Sequence, residues 1–228
     1  MKRIWLFLTV VCATGCLLFA INGLYHQQAW VVQKEIAPKV LRFHVRANSD
    51  SEEDQRVKME VKKAVLSYLN PLLQNSGTVQ ESKEIVKSHL KNVQAVAEQI
   101  LEKQVWQKQV QEKQIPAEEM SDEAERKYDV RVSVKRESFP QKTYGDCTFP
   151  AGVYEALVIE LGSGEGQNWW CMLYPSLCFV DETYGIVEKE EELKTNLPGE
   201  AYHWIKEEKN RKITFRLEWL RKILEFPI

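Results

Sequence analysis

An unbroken apolar run near the N-terminus constrains the fold more than any other feature of this sequence. Residues 4–21, IWLFLTVVCATGCLLFAI, carry no charge, and Lys2 and Arg3 come directly before them. A run of this length can cross a bilayer and is typical of a signal peptide or a single membrane anchor. Because basic residues favour the inner side of a membrane, residues from about 30 onward are expected on the outer side. We therefore predict a signal peptide or anchor over residues 1–29 and a single exported domain over residues 30–228.

The residues in and after this run do not decide whether the segment is removed from the protein. ATGC, which ends at Cys16, faintly resembles a lipoprotein processing site, whereas HQQA, which ends at Ala29, is a poor small-x-small cleavage site. The segment can therefore be cleaved, lipidated at Cys16 or retained as an anchor over residues 4–21.

The charge balance excludes one broad class of partner. The formal net charge of the chain is −2. A nucleic-acid-binding domain normally presents a basic face to the phosphates, so we expect no nucleic acid as a partner.

The apolar periodicity predicts helices first and strands afterwards. After a short strand at 40–45, apolar residues spaced by three and four, from Val57 to Leu69, predict a helix that Pro71 ends. A second helix is predicted from about Ser82 to Leu101, followed by a polar helical and loop insertion over about 103–127. A further amphipathic helix is predicted over 213–224. The expected fold is α+β, with helices packed on one side of a small antiparallel sheet, preceded by an N-terminal signal or anchor helix.

The second half of the chain alternates apolar and polar residues, which is the strand period. YDVRVSVKRESF and GVYEALVIELG are two such segments, and GSGEG, residues 162–166, joins the second one to QNWWCML. A strand, a glycine-rich loop and a further strand predict a hairpin. Trp169 and Trp170 then point to opposite faces of the sheet, so that one is core and the other can reach a partner.

The cysteines of the exported part allow three interpretations. Cys171 and Cys178 flank MLYPSL, and Pro175 can turn the chain there, so a local disulfide is reasonable in an oxidising compartment. Two reduced thiols are the second interpretation. A nucleophilic cysteine with His44 or His203 as its base is the third. A metal site is not expected, because the spacing of Cys171 and Cys178 is too wide for a zinc knuckle, and no cofactor is expected either.

The polar segment RANSDS separates the first strand from the first helix. Ser49 with Glu52, or Ser51 with Asp54, can cap that helix. Beyond capping, Arg46, Asn48, Ser49 and Asp50 can form a recognition edge, and spacing alone does not decide between the two roles.

Two long stretches resemble the hallmark blocks of the stage II sporulation protein R family. They are LRFHVRANSDSEEDQRVKMEVKKAV and FPAGVYEALVIELGSGEGQNWWCMLYPSLCFVD. The resemblance maps the first block onto candidate partner-binding residues Asn48, Ser49, Asp50, Asp54 and Gln55. It maps the second onto Phe149, Pro150, Gly152, Tyr154, Gly164, Gly166, Asn168, Trp169, Trp170, Cys171 and Cys178, of which Gly164, Gly166, Asn168, Trp169 and Trp170 are candidate partner-binding residues.

The resemblance implies a signalling role in endospore formation. Proteins of this family are made in the forespore, are exported to the space between the two membranes and activate a membrane-embedded sporulation aspartic protease. That protease processes the sigma-E precursor in the mother cell, so this chain would be an activator rather than an enzyme. The alternatives are an extracytoplasmic cysteine-dependent envelope hydrolase and a lipoprotein-like envelope binding module.

Overall fold

The elements of the chain confirm an α+β fold with an N-terminal apolar helix. The structure is a computed structural model that describes residues 2–112, 129–175 and 190–207. Its helices are α1 (Lys2–Ile36), α2 (Glu52–Leu73), α3 (Val79–Ser88), α4 (Leu90–Glu112) and α5 (Glu190–Asn196), and the chain is helical again over 199–207, here called α6. A 3₁₀ turn covers Ala37–Lys39, and the strands are β1 (Leu41–Arg46), β2 (Val130–Phe139), β3 (Lys142–Tyr144), β4 (Cys147–Phe149), β5 (Gly152–Leu161) and β6 (Asn168–Tyr174).

The strand order shows that the predicted hairpin is wrong. Four strands form one sheet in the order β2-β5-β1-β6, while β3 and β4 form a separate two-stranded ribbon. β1 pairs in parallel with β5 and antiparallel with β6, so it lies between the two strands that were expected to be neighbours. Adjacent strands lie about 4.8 Å apart, so a six-residue connection can step over one intervening strand as readily as it can form a hairpin loop. The loop 162–167 therefore crosses the end of β1.

Two apolar clusters cover the two faces of this sheet. On one face, α2, α3 and α4 bury residues such as Val61, Val65 and Leu69 against Phe43 and Ile159. The other face is covered as well, by the end of α1, by the β3–β4 ribbon and by α5 and α6; it contains Ile36, Val40, Phe149, Tyr154, Leu193 and Trp204. The helices predicted from Val57 to Leu101 thus lie together on one face, and further elements close the second.

The central position of β1 buries two side chains that the alternation had placed on a polar face. Arg42 is 0% exposed and His44 is 2% exposed. The Arg42 guanidinium donates to the carbonyl of Cys171 at 3.1 Å and to the Tyr144 hydroxyl at 3.1 Å, and it lies 4.5 Å from the ring centre of Phe139. Hydrogen bonds and aromatic rings thus replace much of the water that this charge loses.

The helices differ from prediction at two points. α2 continues two residues past Pro71 to Leu73, whose side chain is anchored in the core at 6% exposure. The second predicted helix is divided at His89, where φ is −106° and the backbone N–H is shared between the carbonyls of Ile85 and Val86. At the start of α2, Ser51 is the N-cap and accepts from Asp54 N, which confirms one of the two predicted caps.

The apolar N-terminal helix continues without a break into residues that pack on the sheet. α1 is the one helix among the described residues that is long and apolar enough to cross a membrane. Its last turns pack on the sheet through Val32 and Ile36, so the boundary predicted after residue 29 falls inside α1. Most of the insertion at 103–127, the C-terminal segment 213–224 and Cys178 lie outside the described residues.

Candidate functional site: the loop junction

Two polar loops from distant parts of the sequence meet at one end of β1. One is residues 47–51, between β1 and α2, and the other is residues 162–167, between β5 and β6. Because β5 and β6 flank β1, the second loop must pass over the first. We call these two loops together with residues 52–58 of α2 the loop junction.

Four hydrogen bonds join the two loops directly. Gly166 N donates to the Ala47 carbonyl at 2.9 Å, and Gln167 N donates to Asp50 Oδ1 at 2.6 Å. Ser163 uses both of its donors on Asn48, with N to Oδ1 at 3.0 Å and Oγ to the carbonyl at 2.7 Å. Each of these bonds uses at least one backbone N–H or carbonyl group of a loop, so the two loops are fixed to each other.

Glycine is required where the loops are closest. A Cβ atom added to Gly166 would lie 2.2 Å from the carbonyl oxygen of Ser49, and backbone atoms on both sides leave no side chain that could move away. Gly164 has φ +68°, a left-handed conformation that other residues adopt at a cost. These two glycines of GSGEG thus allow a close crossing rather than a hairpin turn.

The carboxylate of Asp54 joins the first loop to α2. It is 6% exposed and accepts from Asn48 Nδ2 at 2.9 Å and from Ser49 Oγ at 2.5 Å. Its place in the first turn of the helix also suits the positive end of the helix dipole. Asp54 therefore holds the loop on the helix N-terminus.

Lys58, which the sequence reasoning missed, fastens the second loop to the same helix. Its ammonium group donates to the carbonyl of Gln167 at 2.9 Å and to Oε1 of Gln55, whose amide in turn donates to the Ser49 carbonyl at 2.9 Å. Burial lowers the pKa of Lys58, and the charge of Asp50 opposes that effect. A signal was present in the sequence, because Lys58 falls on the apolar face of α2 that Val57 and Val61 define.

The two tryptophans lead away from the loop junction on opposite faces of β6, as predicted. Trp169 contacts Phe43 with ring centroids 5.6 Å apart, and the ammonium of Lys62 lies 4.8 Å from its ring. Trp170 stacks on His44 at 5.7 Å on the other face. Both side chains are half-buried, so the prediction that one of them belongs to the core and the other to the surface is wrong, and each combines a structural contact with an accessible edge.

A charged cluster lies beside the loop junction, on the face of Trp170. Arg46 binds Glu137 at 2.7 Å and Glu160 at 3.1 Å, and Lys135 reaches both carboxylates at 3.2 Å. Partial burial alone would raise the pKa of Glu160, but the hydrogen bond from Lys135 and the nearby basic charges lower it. These ion pairs therefore link β1, β2 and β5 across one face of the sheet.

Cys171 does not have the surroundings of a nucleophile. It is 3% exposed and disulfide-bonded, and Cys178, its predicted partner, lies outside the described residues. Its side chain belongs to the cluster under α2–α4, whereas His44 faces the opposite side of the sheet against Trp170. His203, the second base considered, is exposed on α6. The geometry therefore brings neither histidine of the proposed hydrolase pair to Cys171.

The predicted partner-binding residues thus converge, but most of their polar groups point inward. Seven of them lie in the loop junction: Asn48, Ser49, Asp50, Asp54, Gln55, Gly164 and Gly166. Asn168, Trp169 and Trp170 begin the neighbouring strand. Of these residues only Asp50 is exposed, and the outward face of the loop junction is formed by exposed residues on both loops and on α2: Asp50, Ser51, Glu52, Arg56, Ser163, Glu165 and Gln167.

The sequence model of one protein family matches the parts of the chain that contain both loops. The sequence model described as Stage II sporulation protein R matches residues 37–116 and 104–184, which include β1, α2 and the whole loop junction. A curated Stage II sporulation protein R from Bacillus subtilis (strain 168) is 33% identical over 159 residues, which are 70% of this chain and 62% of that protein. No solved structure matches the chain. The family match covers more than half of the sequence, and the chain belongs to the stage II sporulation protein R family.

Proposed function

We propose that this protein is an exported signalling protein of endospore formation, which activates a membrane-embedded sporulation aspartic protease. That protease would then process the sigma-E precursor in the mother cell. The protein would be made in the forespore, exported to the space between the two membranes and held there by α1. Family membership supports the sporulation role, and the exposed apolar surface of α1 supports export.

The observation that carries the proposal is the loop junction. The family pattern extends over two loops that are more than 100 residues apart, for example 115 residues between Asn48 and Ser163. Their inner polar groups are used to fix one loop to the other, so the outward face has a defined shape. Surface loops held by a rigid scaffold are common sites of partner recognition.

The outward face also has a net negative charge, because it carries the exposed carboxylates of Asp50, Glu52 and Glu165 and one exposed basic residue, Arg56. We infer that it docks on a basic surface of the protease, since opposite charges steer association and align the partners. Activation requires the protein to bind the active arrangement of the protease more tightly than the inactive one. Docking with equal affinity for both arrangements would not activate the protease.

The test is reconstitution in a non-sporulating host. The protein is co-expressed with the aspartic protease and the sigma-E precursor, and loss of the pro-sequence is scored on a gel. The expected result is cleavage only when this protein is present. No cleavage with all components folded and localised would refute the proposed function.

A pair of charge reversals tests the docking surface separately. Glu52→Lys with Glu165→Lys reverses two outward carboxylates of the loop junction, and Glu84→Lys with Glu102→Lys reverses two exposed carboxylates on α3 and α4. The first variant should lose most of the cleavage while keeping its fold, and the matched control should retain it. Equal cleavage by both variants would exclude the outward face of the loop junction as the docking surface.

A further inference from the structure

A second surface lies at the opposite end of β5 from the loop junction. It is a cavity of about 730 Å³ between the second half of α1 and the start of β5, lined by Tyr25, Ala29, Trp30 and Gln33 on one side and by Ala151 and Gly152 on the other. Here it is called the α1 groove.

The α1 groove has a fixed shape because α1 is fastened to the domain beside it. Gln33 Nε2 donates to the carbonyl of Val153 at 2.7 Å, and the Gln33 side chain is 8% exposed. Gly152 permits this approach, since a Cβ atom there would lie 2.5 Å from Gln33 Cγ. The groove is therefore part of the fold and not a gap between loosely connected parts.

The charge of the α1 groove is positive. Lys34, Lys83 and Arg136 line it together with one carboxylate, Glu155. That carboxylate is already neutralised by Lys83 at 2.7 Å and by Lys87 at 3.3 Å. Within the ranges that the structure describes, Lys34 and Arg136 have no carboxylate partner, so their charge remains available to an anion.

If α1 stays in the bilayer as an anchor, the groove also lies close to the membrane surface. Residues 4–21 span about 27 Å as a helix, close to the thickness of the hydrocarbon core. Tyr25 is then about 6 Å and Trp30 about 13 Å beyond the end of the apolar run along the unbroken helix. The headgroup layer is about 5–8 Å thick, so Tyr25 lies within it and Trp30 lies about 5–8 Å beyond it.

The side chains between this layer and the domain are of the types that anchor proteins at a membrane surface. Trp30 is 56% exposed, although it is large and apolar. The ammonium of Lys34 lies 3.7 Å from the centre of the Trp30 ring, so it reaches back one helical turn towards the membrane. Aromatic and long basic side chains that direct their polar ends to the headgroups are characteristic of this layer.

We propose that the α1 groove binds the headgroups of anionic phospholipids in the leaflet that faces the exported domain. Charge complementarity and the depth of the groove select this occupant. Binding there fixes the domain on the membrane surface in one orientation, with the loop junction at the other end of β5. The inference rests on the retention of α1 and is independent of the protease.

The test uses the full chain in a nonionic detergent, with detergent-solubilised phosphatidylglycerol or phosphatidylcholine as the probe. Native mass spectrometry measures how much of each lipid remains bound. Each basic side chain near an anionic surface strengthens binding about fivefold, so Lys34→Gln with Arg136→Gln should weaken phosphatidylglycerol binding about 25-fold. Lys63→Gln with Lys103→Gln removes the same charge from exposed positions outside the groove and should leave binding unchanged.

Three outcomes would overturn the proposal. One is equal retention of the two lipids by the unmodified protein. Another is an equal loss of binding in the groove variant and in the control variant. The third is displacement of phosphatidylglycerol by inorganic phosphate, which would make the groove a site for soluble anions instead of lipid.

Discussion

Because the two loops cross so closely, one added methyl group at Gly166 should lower the free energy of unfolding by an unusually large amount. In Gly166→Ala the new Cβ atom would lie 2.2 Å from the Ser49 carbonyl oxygen. Neither backbone can retreat without breaking the bonds that join the loops, which include the one from Gly166 N to Ala47.

The magnitude follows from two contributions. Overpacking of a close contact costs about 1–3 kcal/mol, and the loss of one interloop hydrogen bond costs about 1 kcal/mol. We therefore expect Gly166→Ala to lower the free energy of unfolding by about 3 kcal/mol. For a domain of this size that corresponds to a fall in Tm of about 6–12 °C.

Two other glycines are matched controls. Gly164 has φ +68° with its nearest neighbour at 3.7 Å, so Gly164→Ala should cost about 1 kcal/mol through backbone strain alone. Gly199 has nothing within 4 Å of an added Cβ, so Gly199→Ala should change stability by less than about 0.5 kcal/mol. Thermal unfolding of the full chain in detergent, followed by circular dichroism, measures all three. A Tm for Gly166→Ala equal to that of Gly199→Ala would refute the close crossing.

Three further predictions concern acid, thiols and a buried charge. Because the pKa of Glu160 is lowered in the folded protein, its ion pairs stabilise the fold at neutral pH and are lost as the pH falls below 4.5, the ordinary pKa of a glutamate. Tm should therefore fall below that pH, and the fall should be smaller in Lys135→Gln. Alkylation of the denatured, unreduced protein should leave Cys171 unlabelled, and labelling of Cys171 without reductant would contradict the disulfide. Arg42→Met should cost less stability than Arg42→Ala, since methionine refills the space between the rings that Arg42 contacts; equal losses in chemical denaturation would show that packing is not its role.

The sequence predicted the elements of this fold better than their arrangement. Alternation identified β1, β2 and β5, and the glycine-rich loop indicated β6 after it. The insertion of β1 between β5 and β6 is a non-local event, and nothing in the six residues 162–167 distinguishes a crossing from a hairpin. The same non-local event buries Arg42 and His44, which local alternation had placed on a polar face.

The residues predicted to bind a partner lie close together in the structure, and their role stays a prediction. The residues around Asn48 and those around Gly166 were recognised as two separate polar segments, and the structure shows that they bind each other. Lys58 was missed because a lysine in a helix is usually a solvated residue, although its place on the apolar face of α2 indicated burial. Its carbonyl acceptor is on a distant loop, which the local sequence does not identify.

The position of β1 also bears on when the domain could fold if it is exported as proposed. β1 follows α1 after a single 3₁₀ turn, but its partner residues in β5 come more than 100 positions later, as in the pair Arg46 and Glu160, 114 residues apart. Closing so long a loop is slow and must wait until both segments are on the same side of the membrane. Under the proposed export, residues 47–151 would have to cross the membrane before the central sheet could form, so the chain would pass a translocation channel in an extended state and fold in the compartment of delivery.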